Sequence, residues 1–154
     1  MTSEQAAPAR RPSAGVFRRL GAMFYDLLLL VALMMVVTAA LLPLTGGEAI
    51  TSDRYGAYEY AYRVMLLAIV ILFFGGFWTR RGQTLGMAAW RMKIERADGS
   101  LLTWSDVIKR LGAATVSLAL GGFGYVWIWF DKEELAWPDR WTNTRVWVEA
   151  KKKA

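Results

Sequence analysis

Three long apolar runs dominate the pattern of hydrophobic and polar positions along the chain. The first, from Leu27 to Leu44, contains no charged residue. As a helix it would measure about 27 Å, close to the roughly 30 Å hydrocarbon core of a bilayer. It is too long for the apolar part of a signal peptide, which favours an uncleaved span. Together the three runs predict helices at about residues 20–44, 63–79 and 107–130.

Glycines interrupt the third run, which extends from Leu111 to Phe130. Gly121, Gly122 and Gly124 lie in its middle, and each glycine weakens a helix by about 1 kcal/mol. Two structures therefore remain open for this segment. It either spans the membrane or turns back as a re-entrant segment, which requires protein or water to satisfy the freed backbone groups.

The distribution of basic residues predicts which side of the membrane each loop occupies, because Lys and Arg are retained in the cytoplasm. Residues 1–23 carry four, residues 45–62 one, residues 80–110 seven and residues 131–154 six. Three straight spans would place 11 of these residues inside and 7 outside, whereas a re-entrant third segment would place 17 inside and 1 outside. The counts favour the re-entrant form, with the N-terminus in the cytoplasm.

Polar stretches flank and separate the apolar runs. Residues 92–96 alternate like a strand, and an Asp-Gly turn at 98–99 precedes Leu101-Leu102, which would return as a second strand. The sequence thus predicts an all-α membrane protein with two transmembrane helices, a third hydrophobic helical segment and a small cytoplasmic β-hairpin-like element. The predicted organisation is a disordered tail, a membrane domain and a basic tail, at residues 1–15, 16–148 and 149–154.

Composition narrows the chemistry. Of 154 residues, 55% are hydrophobic and 21% charged, which argues against a disordered chain. The absence of Cys and His excludes thiolate or imidazole catalysis and metal sites built on either residue. We therefore expect no enzyme activity, cofactor or metal site. From the net charge of +6 we expect the protein to bind anionic lipid headgroups and not nucleic acid.

Few groups are placed to do chemistry in a membrane. Asp26 is an ionisable residue inside a predicted span, and Arg19 lies about 10 Å before it on the same helical face. Asp26 either handles ions or protons or pairs with an arginine. Asp139 is a further candidate or a helix cap, and Arg19 is a candidate or a positive-inside anchor. The predicted lipid-surface residues are Arg80, Arg81, Lys109 and Arg110.

Several short motifs, taken in order, resemble those of the RDD family of small bacterial membrane proteins. The family is named for one arginine and two aspartates, which correspond here to Arg19, Asp26 and Asp139. Asp139 stands before Thr144 at the family spacing, but proline replaces the usual preceding histidine. The segment Gly82-Gln83-Thr84-Leu85-Gly86 resembles a glycine–threonine–glycine motif of the family, with Met87 where a basic residue is common. The resemblance covers about residues 16–148.

The resemblance implies membrane transport, because ligand transport has been suggested for the family and sodium/proton antiport attributed to a member. Two short spans cannot enclose a transport path, so this function requires a homo-oligomer. The alternative is a non-transporting scaffold or accessory subunit that docks a partner or anionic lipid through residues 80–110 and Lys151–Lys153. Either protein would lie in the bacterial inner membrane.

Overall fold

The computed structural model describes residues 11–149 of the chain. Residues 1–10 of the predicted N-terminal tail and residues 150–154 of the predicted basic tail lie outside the described residues. The segment directly before the first helix is extended. The Pro12 carbonyl accepts a hydrogen bond from the Val148 N–H at 3.0 Å, and the Ala14 N–H donates to the Val146 carbonyl at 2.9 Å. This part of the predicted tail is therefore structured.

Two long helices form the apolar part of the molecule. Helix α1 runs from Val16–Leu41 and continues as a 3-10 turn, Leu42–Thr45. A short helix α2, Ser52–Tyr55, precedes helix α3, Ala57–Arg80. Helices of 26 and 24 residues measure about 39 and 36 Å, so α1 and α3 are each long and apolar enough to cross a membrane. Both begin earlier than the sequence pattern predicted, because polar residues at their ends join the helices.

The fully buried residues of the two long helices lie toward one end of the pair. In their most apolar windows, 6% of α1 and 11% of α3 is buried. The buried residues of α1 repeat every three or four positions along one face and end at Leu30. Helix α3 buries Gly75 and Trp78, close to its C-terminus. Most of the other residues of both helices are apolar, and they are exposed or half-buried.

The third apolar segment is not one helix. Helix α5 spans Trp104–Ala119, and after a break helix α6, Phe123–Val126, leads into a 3-10 turn, Trp127–Trp129. The two parts are bent by 103°. Gly121 and Gly122 adopt φ of +70° and +81°, the left-handed region that glycine tolerates best. The segment predicted as helical over residues 107–130 is therefore divided into two parts, with the bend at the glycines.

A two-stranded antiparallel sheet replaces the predicted hairpin. Strand β1, Met92–Arg96, pairs with β2, Thr144–Val148, so that Ile94 lies opposite Val146. The predicted return strand at Leu101-Leu102 does not form. Thr103 already caps helix α5, which leaves too few residues for a strand, and Leu102 is buried in the core instead. Helix α4, Leu85–Ala89, and helix α7, Trp137–Thr142, complete the fold.

The main hydrophobic core joins this sheet to the helices. One face of the sheet supplies Met92, Ile94 and Val146, and the alternation of side chains along a strand explains why these positions are buried together. Ala22 of α1 and Trp78 of α3 pack into the same cluster. The core consequently lies at the end of the long helices where Arg19 and Arg80 are found.

Candidate functional site

A buried ion-pair network centres on Asp139. Its Oδ2 accepts a hydrogen bond from Arg19 Nη1 at 2.6 Å, and its Oδ1 accepts one from Arg110 Nη2 at 2.6 Å. Asp139 is 0% exposed and the two arginines 4% and 6%. It is the third residue of α7 and also accepts from the Ala136 backbone N–H at 3.2 Å, so the carboxylate caps its own helix. The same carboxylate therefore caps helix α7 and binds both arginines.

Arg110 departs from the sequence-based expectation. It was predicted to face the lipid surface, but its guanidinium is buried against Asp139 and over the ring of Trp78, 5.6 Å from the ring centroid. The reason is its position on the buried face of α5, which also carries Val107 and Ala113. This three- and four-residue spacing is the signal in the sequence that indicates burial of Arg110. The other predicted lipid-surface residues, Arg80, Arg81 and Lys109, are exposed.

The threonine five residues after Asp139 serves the same arginine. Arg110 Nη1 donates to Thr144 Oγ1 at 2.6 Å. Thr142 donates to the Pro138 carbonyl at 2.6 Å, so Thr144 must be the donor in the 2.8 Å bond between the two hydroxyls. The spacing of aspartate and threonine thus supplies two acceptors to one guanidinium, one from α7 and one from β2.

Arg19 also holds the segment before α1. Its Nε donates to the Ala14 carbonyl at 2.7 Å. Its remaining nitrogen, Nη2, is buried and has no hydrogen-bond partner within residues 11–149. Two positive charges therefore surround one negative charge, and all three side chains are buried.

The arginines control the ionisation of Asp139. Complete burial raises the pKa of this carboxyl group, but the charges and hydrogen bonds of Arg19 and Arg110 outweigh burial. The net result is a pKa below the ordinary value of 3.8. The two arginines therefore favour the ionised form of Asp139.

Asp26 is the second buried carboxylate, and it forms a separate group. Its Oδ2 accepts from the Thr84 hydroxyl at 2.5 Å and its Oδ1 from the Gly86 backbone N–H at 2.9 Å. It is 3% exposed and lies two helical turns along α1 from Arg19, on the same buried face. Within the described residues no salt bridge reaches Asp26, so the expected pairing with an arginine does not occur there.

The glycine–threonine–glycine segment explains how Asp26 is held. Thr84 caps helix α4 by accepting from the Met87 N–H at 3.1 Å, while its own proton points to Asp26. A Cβ at Gly86 would lie 2.3 Å from the Ala22 carbonyl oxygen and 2.9 Å from Asp26 Cγ. Gly82 has φ of +65°, and its Cβ would lie 2.7 Å from the Ile94 carbonyl oxygen. The motif therefore permits close backbone contact with α1 and β1.

The geometry places the three candidate residues in two neighbouring groups and not in one site. Arg19 and Asp139 bind each other, while Asp26 is bound by neutral donors of the 82–86 segment. Among the residues that the structure describes, no three carboxylates are grouped so that they could hold a metal ion.

The fold and these two groups define a class: a small, mostly helical membrane protein in which buried charges join one end of two apolar helices to a small sheet. The profile of the RDD family matches residues 13–143, which is most of the chain, and the chain belongs to that family. No curated protein and no solved structure matches the chain.

Proposed function

We propose that this protein is an oligomeric cation/proton exchanger of the bacterial inner membrane, with Asp26 as the carboxylate that exchanges ions. One observation carries the proposal. Asp26 is buried within an apolar helix and is held by neutral donors, whereas Asp139 is neutralised by two arginines. Placing a carboxylate inside a membrane costs free energy, and such a residue is generally retained for function.

The hydrogen bonds of Asp26 are compatible with a change of protonation state. A hydroxyl group can both donate and accept, so Thr84 can follow the gain or loss of a proton on Asp26 by rotating its O–H bond. No salt bridge has to be broken in that step. Arg19 and Asp139 would act indirectly, by fixing the position of α1 relative to α5 and α7.

Oligomerisation follows from the small number of candidate spans. Two helices cannot surround a water-filled path, and few residues in the apolar windows of either helix are fully buried. Lipid covers part of this surface, and a second copy of the chain would cover the rest. The path would then lie between protomers and would pass Asp26.

The proposed topology places both termini in the cytoplasm. Strand β2 pairs with β1, so the C-terminal segment lies beside the 80–110 loop. Helices α5 and α7 meet the long helices near Arg19 and Trp78, at one end of the pair. These contacts support a re-entrant third segment, which is also the arrangement that best satisfies the positive-inside rule.

Cysteine labelling tests this topology, because the chain contains no native cysteine. We expect Asp98→Cys and Glu149→Cys to be protected from a membrane-impermeant maleimide in intact cells, and Asp53→Cys to be labelled. Labelling of Glu149→Cys from outside would overturn the re-entrant topology. Permeabilised cells, in which all three sites should react, provide the control for accessibility.

The exchange activity is tested in proteoliposomes that contain a pH-sensitive dye. A sodium pulse should drive proton movement with the wild type, and Asp26→Asn should abolish it while the protein stays folded in detergent. Asp53→Asn, which removes an exposed carboxylate of α2, should behave like the wild type. Wild-type flux in Asp26→Asn would refute the assignment of Asp26.

A second function, a non-transporting scaffold or accessory subunit, is favoured by the number of elements that the buried ion-pair network joins. The buried ion-pair network connects α1, α5, α7 and β2, as expected of residues whose role is to hold these elements together. The exposed residues Arg80, Arg81 and Lys109 would then bind anionic lipid or a partner. Absence of sodium-driven flux in the wild type, together with a lower unfolding midpoint for Asp26→Asn, would favour this function.

A further inference from the structure

A set of exposed aromatic side chains takes no part in the buried ion-pair network around Asp139. Helix α6, the 3-10 turn after it and helix α7 expose five large aromatic residues, each by at least 44% of its surface. They are Phe123, Trp127, Trp129, Phe130 and Trp141. We call these five residues the aromatic surface. So many exposed aromatic residues in one segment indicate a contact with something other than water.

Three rings of the aromatic surface form a chain of contacts that includes Trp137. Trp127 lies 6.5 Å from Phe130 and 6.1 Å from Trp137, between ring centroids. Trp137 in turn stacks on Trp141 at 5.9 Å. Trp127, Phe130 and Trp141 are therefore joined through Trp137 into a connected group of rings that extends from the 3-10 turn to helix α7.

A further contact fixes the level of this surface relative to α1. Trp129 packs against Phe17, with 6.1 Å between ring centroids, and Phe17 itself is 77% exposed. Phe17 is the second residue of α1 and precedes Arg18 and Arg19. With α1 as a span, Phe17 lies at the end of the helix where the chain enters the membrane, and Trp129 lies at the same level.

We propose that the aromatic surface binds the lipid bilayer, inserted at the boundary between headgroups and acyl chains of the leaflet that α1 enters. Tryptophan prefers this boundary because its ring is apolar and its N–H is polar. Residues 120–141 are then an interfacial segment that anchors the end of the re-entrant helix. The inference relies on α1 spanning the membrane, as proposed above.

The surroundings of the aromatic surface favour the interface over deeper insertion. The seven residues of α6 and the following 3-10 turn rise only about 10 to 15 Å, far less than a bilayer requires. The surface is also bordered by exposed charged residues, Lys132 and Glu133 on one side and Arg140 beside Trp141. Aromatic residues next to charged residues are typical of segments that lie in the interfacial plane.

Spin-label depth measurements test this placement. Phe130→Cys carries the label at the most exposed ring of the surface, 76% exposed, in vesicles of phosphatidylcholine and phosphatidylglycerol. Relative accessibility to oxygen and to a water-soluble nickel complex reports the depth. Three reference variants calibrate it: Leu33→Cys within α1, Phe17→Cys at its start and Asp98→Cys in the exposed turn after β1.

We expect the depth of Phe130→Cys to match that of Phe17→Cys and to fall between Leu33→Cys and Asp98→Cys. A depth equal to that of Asp98→Cys, or equal to that of Leu33→Cys, would overturn the inference. Strong spin–spin broadening at Phe130→Cys would overturn it as well, because a second copy and not lipid would then cover the surface. Each variant must retain the wild-type unfolding midpoint.

The reference variants separate this inference from the proposed topology. If Phe17→Cys itself reports an aqueous depth, α1 does not enter the membrane at this level and the topology fails. If Phe17→Cys is interfacial and Phe130→Cys is aqueous, only the lipid-binding role of the aromatic surface fails.

Discussion

Replacing Asp139 with asparagine removes the negative charge between Arg19 and Arg110 but nearly preserves the volume of the side chain. The amide retains one acceptor oxygen for the two arginines and turns its NH2 group toward the other guanidinium. Both guanidiniums are buried, and Nη2 of Arg19 already has no partner within the described residues. The variant therefore leaves two positive charges uncompensated in the protein interior.

The expected cost follows from the burial of the pair. Removing one partner of a buried ion pair destabilises a protein by about 3–5 kcal/mol, because the remaining charge stays desolvated. Glu133→Gln is the matched control, since it removes a carboxylate 3.8 Å from Arg145 where both side chains are more than half exposed. An exposed pair of this kind contributes about 0–1 kcal/mol.

The assay is the free energy of unfolding of the detergent-solubilised protein, measured by titration with a denaturing detergent and followed by tryptophan fluorescence. Asp139→Asn should lower it by several times the effect of Glu133→Gln. Losses of less than about 1 kcal/mol for both variants would refute the claim that the network stabilises the fold. A double substitution of Asp139 and Arg110 should be less damaging than the sum of the single ones.

The difference in free energy of unfolding between the wild type and Asp139→Asn should change with pH in one direction only. The pKa of Asp139 lies below 3.8 in the folded protein because the arginines outweigh burial. Its contribution to stability is therefore complete above that value and is lost as the pH falls through the lower, folded-state pKa. The difference between wild type and Asp139→Asn should be constant from about pH 8 to about pH 5 and should shrink only in stronger acid. A difference that already declines near neutral pH would contradict the assignment.

Three further substitutions test the contacts of Asp26 and of the third segment. Gly86→Ala should lower the melting temperature, since overpacking costs about 1–3 kcal/mol, whereas Gly112→Ala, a helical glycine with open space around it, should be neutral or stabilising. Thr84→Val should cost about 1–3 kcal/mol, because it removes the donor to Asp26 Oδ2 and the acceptor of the Met87 N–H; a wild-type melting temperature would show that these bonds contribute nothing. Ser117→Ala should change the melting temperature little, because the buried hydroxyl has no partner within residues 11–149; a large loss would reveal an unrecognised bond.

The sequence determined the elements that depend on local patterns. Runs of apolar residues longer than 15 positions leave few alternatives to α1 and α3, and the alternation of residues 92–96 predicted β1. The order of short motifs likewise identified Arg19, Asp26 and Asp139 and the RDD family. The glycines at 121–122 raised the possibility of a break, because their backbone preference is local.

Only the tertiary structure decided how these elements meet. Strand β2 pairs with β1 across more than 40 residues of intervening chain, a contact that no local pattern encodes. Arg110 looked like a surface residue because its neighbour Lys109 is one, yet the position of α7 buries it beside Asp139. Arg19 binds Asp139, and Asp26 binds the 82–86 segment instead. Sequence spacing specifies which side chains share one helical face, but the partner of each depends on which other element packs against that face.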